Sequence, residues 1–156
     1  MMNNNNLFAV LRAAFPAELD RTAIETADGE GAPLYYTWAD IERATAMLAN
    51  LLVSLDLPPG TRVAVQAEKS VEALLLYLAV LRAGCVYLPL NTAYQAAEIE
   101  YFIANAEPGV VVCASRNFGW VSQLAFKAGT RNVFTLDDDR SGSLLDRAAQ
   151  MSDRHE

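Results

Sequence analysis

The chain offers few side chains that can do chemistry, and each has a plain structural reading. His155 is the sole histidine, and no Ser or Cys with an orienting acid lies near it in sequence, so a nucleophile, base and acid triad is not encoded. It reads as a solvent-exposed residue. Cys85 and Cys113 lie in apolar, strand-like stretches, and with a single histidine they do not fill a four-ligand zinc site of the usual spacing. Both read as reduced core residues. Asp137-Asp138-Asp139 presents carboxylates to a hard cation, yet Arg140 follows and the ligand spacing of an EF-hand is missing, which favours a solvated loop.

Anion binding fares no better. Phosphate cradling needs glycines that bring backbone amides to the ligand at a helix N-terminus, and Gln66-Ala67-Glu68-Lys69-Ser70 has none. Ser70 is placed to cap a helix and Glu72 to sit in its first turn, where the dipole favours an acid. Lys69 is able to face a phosphate or carboxylate, but a lone lysine at a helix start is usually solvated. The later turns, Asn91-Thr92-Ala93-Tyr94-Gln95 and Ala114-Ser115-Arg116-Asn117, also lack paired glycines. Arg82 suits the C-terminal dipole of its helix and needs no other role. Tyr35, Tyr36 and Trp38 read as an aromatic cluster filling a core corner. No catalytic, cofactor-binding or metal-ligating residue is therefore assigned, and no cofactor is expected on this chain.

The elements that carry these residues follow from periodicity. Leu7, Phe8, Leu11 and Phe15 share one helical face, and Thr22 to Thr26 and Leu34 to Thr37 flank the turn-rich Asp28-Gly29-Glu30-Gly31 as a hairpin. Thr37-Trp38-Ala39-Asp40 is an approximate capping box, with Asp where Glu or Gln is usual. The helix behind it carries Ile41, Ala44, Leu48, Leu51, Leu52 and Leu55, and Pro58-Pro59-Gly60 ends it. Strand and helix then alternate: Arg62 to Gln66, Ser70 to Ala83, Cys85 to Leu88, Ala96 to Ala106, Val110 to Cys113, Gly119 to Ala128 and Asn132 to Leu136.

Such alternation means parallel strands joined by right-handed crossovers. Each strand is a short continuous Val/Leu-rich run, so helices are expected on both faces. The fold class is α/β, a doubly wound, mostly parallel sheet with a short N-terminal hairpin. Residues 1–6, rich in Asn, read as a disordered tail, residues 7–136 as the folded unit, and residues 137–156 as an acidic linker in which Ser143 to Met151 has the composition of a short helix.

Composition bounds the function. A chain of 156 residues, 53% hydrophobic, buries roughly 70% of its unfolded surface, enough for one ordinary domain. The net charge of -7 and scattered Lys and Arg give no basic groove, which excludes nucleic acid as a partner. The longest apolar run, Ala73 to Leu81, falls well short of the ~20 residues of a membrane helix. The Asn-rich start lacks the positive charge of a secretory signal, so a cytoplasmic protein is the default.

Two blocks carry a family resemblance. Leu81-Arg82-Ala83-Gly84-Cys85-Val86-Tyr87-Leu88-Pro89-Leu90-Asn91 resembles the stretch that adenylate-forming enzymes write roughly Leu-Lys-Ala-Gly-x-x-Tyr-x-Pro-Leu-Asp/Asn. Arg82 replaces the common Lys and Cys85 a small residue. Upstream, Thr37-Trp38-Ala39-Asp40-Ile41 resembles the family's Thr/Ser-Tyr-x-Glu-Leu, with Trp for Tyr and Asp for Glu. Glu68-Lys69-Ser70-Val71-Glu72-Ala73-Leu74, Asn91-Thr92-Ala93-Tyr94 and Ala106-Glu107-Pro108 look most like the malonyl-CoA synthetase branch. The likeness spans Leu7 to Leu136, which is scaffold in that family.

The resemblance implies an N-terminal fragment of an ATP-dependent acyl-CoA ligase joining malonate or methylmalonate to coenzyme A. ATP, Mg²⁺ and coenzyme A are implied for the full-length protein, the acid being activated as an acyl-adenylate. It also implies that the Ser/Thr/Gly-rich phosphate loop, which nothing in this sequence resembles, follows within a few tens of residues of Glu156. The fragment alone is expected to be inactive and prone to self-association through surface that the remainder would cover. Two alternatives stand beside this reading. One is a stand-alone noncatalytic α/β interaction module. The other is a small flavodoxin-like binder of a nucleotide or flavin, disfavoured by the glycine-free turns.

Overall fold

The computed structural model describes residues 5–156. Helix α1 (Leu7–Ala13) begins at Asn6, whose side chain accepts from the Phe8 N–H at 2.8 Å and donates to Leu81 O at 2.7 Å. Composition groups Asn6 with the tail 1–6, but here it is a helix cap tied to a distant carbonyl; residues 1–4 lie outside the described residues. Only Phe8 of the expected apolar face is buried, while Leu7 and Leu11 stay exposed. Seven residues make too short a helix to lay two full turns against the core.

Strands β1 (Thr22–Ala27) and β2 (Pro33–Thr37) pair antiparallel, from Thr22 opposite Thr37 to Ala27 opposite Pro33. Asp28 ties the turn by accepting from the Glu30 and Ala32 amides. Helix α2 (Trp38–Ser54) starts at the capping box read from sequence: the Asp40 N–H donates to Thr37 Oγ1 at 3.1 Å and the Thr37 N–H to Asp40 Oδ2 at 2.9 Å. Its buried stripe of Ile41, Thr45, Leu48, Leu51 and Leu52 repeats at helical spacing.

Strands β3 (Arg62–Gln66), β4 (Val86–Pro89), β5 (Val110–Cys113) and β6 (Asn132–Thr135) form one parallel sheet in the order β4-β3-β5-β6. Helices α3 (Val71–Arg82), α4 (Ala96–Ala106) and α5 (Phe118–Lys127) are the crossovers. Because side chains alternate along a strand, Val63, Val65, Val110, Val112 and Phe134 share one core with α2, α3 and the last helix, α6 (Ser143–Ala148), while Ala64, Val111 and Cys113 share a second core with α4 and α5. The doubly wound sheet is thus confirmed. Coverage on both faces holds for β3 and β5, which are buried almost throughout, but β4 is an edge strand with Val86 exposed.

Region 137–156 contains the short helix expected there, ending at Ala148, and it is packed: Leu144 and Ala148 are buried in the first core. Beyond it, Asn50 on α2 donates to Ser152 O and Arg154 O. Among the described residues no helix is long and apolar enough to cross a membrane.

The junction between α3 and β4 rests on Gly84, at φ 71°. The Gly84 N–H bonds Leu81 O at 3.1 Å and the Cys85 N–H bonds Val80 O at 2.9 Å, the paired bonds of a Schellman ending; Gly129 and Thr130 repeat it after α5. No atom stands within 4 Å of where a Gly84 Cβ would lie, so the requirement is backbone conformation, not space. Gly84→Val should therefore cost about 1–3 kcal/mol through a β-branched residue at positive φ, read as a lowered urea midpoint with an unchanged slope. An unchanged midpoint would remove the glycine from this role.

The cysteines differ more than the sequence suggests. Cys113 is fully buried, its thiol pushed up to about 12 by burial and the Asp137 carboxylate, whereas Cys85 is half-buried, with its thiol raised by burial alone. A thiol reagent should label Cys85 first and slowly, and Cys113 only at the rate of unfolding. Equal fast labelling of both without denaturant would contradict the placement of Cys113.

Candidate functional site

In an open parallel sheet a ligand crevice is expected beyond the carboxyl ends of the strands, where the strand order reverses. Here that point lies between β3 and β5. Gln66, the last residue of β3, is buried and donates through Nε2 to Asn91 O at 3.0 Å and Tyr94 O at 3.1 Å, so it latches the turn between β4 and α4. Glu68 and Arg116, from the turns after β3 and β5, close an exposed ion pair of 2.9 Å across the mouth. The Ser115 N–H donates to Asp137 Oδ1 at 2.9 Å, giving the first of the three aspartates a structural partner. Ser70 caps α3 through the Ala73 N–H, as its position implies, and Lys69 is exposed. Most groups at this mouth bond to one another and to backbone, whereas Gln66 Oε1 is buried without a hydrogen-bond partner. None forms a cradle of amides.

A cavity of about 540 Å³ opens between the hairpin, α2, α3 and α6. Leu34, Met47, Leu48, Leu75 and Leu145 make its apolar floor, and Glu72 and Tyr36 meet at one end through a 2.6 Å hydrogen bond from the Tyr36 hydroxyl. Burial, then the bond to Glu72 and its charge, push the Tyr36 hydroxyl up to about 12, against a smaller opposing pull from Arg140. At neutral pH Tyr36 is a neutral donor and no base. The three aromatics expected to form one cluster do not pack as one: Tyr35, which is exposed, and Tyr36 both line this cavity, while Trp38 packs on Phe15 with ring centroids 4.6 Å apart.

Two sequence readings change most. Arg82 is not a simple dipole partner. Its side chain is only 9% exposed and donates to Glu42 Oε1 at 3.0 Å, Glu42 O and Thr45 Oγ1 at 3.1 Å and His155 O at 2.9 Å, and it lies 4.8 Å from the Phe8 ring centroid. Glu42 also pairs with Arg12 of α1. His155, expected in solvent, is half-buried with Nδ1 2.5 Å from Asn50 Oδ1, and burial together with the Arg82 charge lowers its pKa. The only local hint of this cluster is that Arg82 closes a nine-residue apolar run, since its partners lie 37 and 73 residues away. Asp137 comes near Cys113, but among the described residues no group of three or more His, Cys, Asp or Glu could hold a metal ion.

A profile of the AMP-binding enzyme family matches residues 12–154. Phosphinothricin tripeptide synthetase PhsB of Streptomyces viridochromogenes is 33% identical over 94% of the chain, which spans 12% of that protein. A probable CoA ligase, CCL9 of Humulus lupulus, is 31% identical over 85% of the chain, which spans 25% of it. Among solved structures, apo MatB from Rhodopseudomonas palustris superposes with a TM-score of 0.88 and 44% identity over 97% of the chain, covering 29% of the MatB chain. The ATP-bound form of MatB gives 0.86 and 45% over 96% of the chain and 29% of that chain. This chain therefore spans under a third of the length of these relatives, and it belongs to the AMP-binding enzyme family.

Proposed function

We propose that this chain is the N-terminal portion of an ATP-dependent acid–thiol ligase that joins malonate or methylmalonate to coenzyme A in a longer, cytoplasmic protein, and that residues 1–156 supply scaffold. The observation that carries this reading is the 44% identity to MatB over 97% of the chain. The resemblance of the segments around Glu68, Asn91 and Ala106 to malonyl-CoA synthetases supports the same branch.

The residues present do not fit the triphosphate of ATP or its Mg²⁺. Holding such an anion takes amide-rich loops, metal ions and basic side chains aimed at one point. The turns after β3 and β5 contain no glycine, Glu68 places a negative charge at the mouth, and Arg116 is already paired with it. No step of the reaction is assigned to this chain. Its contribution is the sheet and the corner on which later residues would be set. Exposed Tyr101, Phe118 and Phe126 on the α4 and α5 layer support self-association of the chain on its own.

Two measurements test the proposal. Purified residues 1–156 with ATP, Mg²⁺, malonate and coenzyme A should release no pyrophosphate above a heated control, and malonate-dependent release from homogeneous protein would overturn the scaffold assignment. In the opposite direction, exchanging the matching region of R. palustris MatB for this chain should leave a folded enzyme that keeps its ligase activity. A chimera that folds but has lost all activity would show that this region does not serve as a MatB-type scaffold.

A further inference from the structure

We propose that residues Ser152 to His155 form a pH-responsive strap, held across α2 and α3 by Asn50 and Arg82 and released when the His155 ring takes up a proton. The inference stands on a cluster of side chains and goes beyond the ligase reading, on which it does not depend. Asn50 donates both amide hydrogens to the strap, to Ser152 O at 2.9 Å and Arg154 O at 2.8 Å. Its Oδ1 is thereby the acceptor for the ring, and His155 Nδ1, 2.5 Å away, carries the hydrogen. The neutral ring then keeps its lone pair on Nε2. Arg82 completes the tie by donating to His155 O at 2.9 Å.

Little else anchors the segment. Ser152, Asp153 and Arg154 are exposed, so hydrogen bonds and not apolar burial hold the strap. Protonation at Nε2 puts a second cation beside Arg82 without adding a bond to Asn50. Arg82 on α3 is the charge that acts on the ring, Glu42 on α2 and Arg12 on α1 belong to its ion-pair network, and Asp153, Arg154 and Glu156 flank the ring in sequence. Glu42 is held between two guanidinium groups, so the acid nearest the cluster is engaged with Arg82 and Arg12.

The sign of the effect follows from burial and the Arg82 charge, which both lower the His155 pKa from its ordinary 6.5 in the docked strap. The docked form binds fewer protons than the released form. Docking is therefore at full strength above about 6.5 and weakens as pH falls below it, by up to about tenfold in the docking constant per pH unit until the docked ring itself titrates.

A sole histidine makes the test direct. The His155 ring proton resonance and the backbone ¹⁵N relaxation of residues 152–155 are followed in the intact 156-residue chain from about pH 8 to about pH 5. The ring should titrate below 6.5, and the strap should pass from rigid to mobile over the same range. His155→Gln keeps a donor for Asn50 without the charge and should leave the strap rigid throughout. Asn50→Ala should leave it mobile at every pH and return the ring toward 6.5. The proposal is overturned if the ring titrates at or above 6.5 in the unmodified chain, if the strap stays rigid through that titration, or if His155→Gln loosens over the same range.

Discussion

The central pair of parallel strands sets the terms for the rest of the molecule. β3 and β5 are buried on both faces, so every backbone donor and acceptor in them must be met by a neighbouring strand and both faces must be roofed by helices. That requirement leads to crossover helices on opposite sides and to two cores that share one sheet. It also requires each helix to stop where the next strand begins, which is why glycine stands at Gly84 and Gly129 with nearly the same paired bonds.

At the corner where α1, α2 and α3 meet, a different constraint operates. A guanidinium taken out of water must have its donors met, because a charge left alone in a dry corner costs several kcal/mol. Arg82 meets this with Glu42, Thr45, the His155 carbonyl and the Phe8 ring. One side chain thus draws together three helices and the segment around His155. The corner is polar where the sheet is apolar, and its geometry is correspondingly more directional.

These two kinds of constraint explain what could be read in the sequence. The elements were legible because each is specified by neighbours: Thr37 and Asp40 lie three residues apart, the α2 stripe repeats at helical spacing, and Gly84 directly follows an apolar run. The same locality made the family blocks recognisable. The Arg82 cluster was not legible, because its partners lie up to 73 residues away and Asn50 and His155 are 105 apart. The long-range bonds of Asn6, Tyr36 and Glu72 were not legible for the same reason: their partners come from other elements. At the candidate site, the lack of glycine in the turns is plain from sequence, while the latch made by Gln66 has no local signature.

The separation between Arg82 and its last partner also bears on how the protein is made. A nascent chain emerges from its N-terminus, and the hairpin, α2, α3 and the sheet can assemble from residues already outside the ribosome. The Arg82 guanidinium, however, meets the His155 carbonyl only after 73 further residues have been synthesised. Until then its donors depend on Glu42, Thr45 and water. Of the contacts Arg82 makes, the one to His155 is thus the last that synthesis makes available, after the partners on α1 and α2 and all four strands of the sheet.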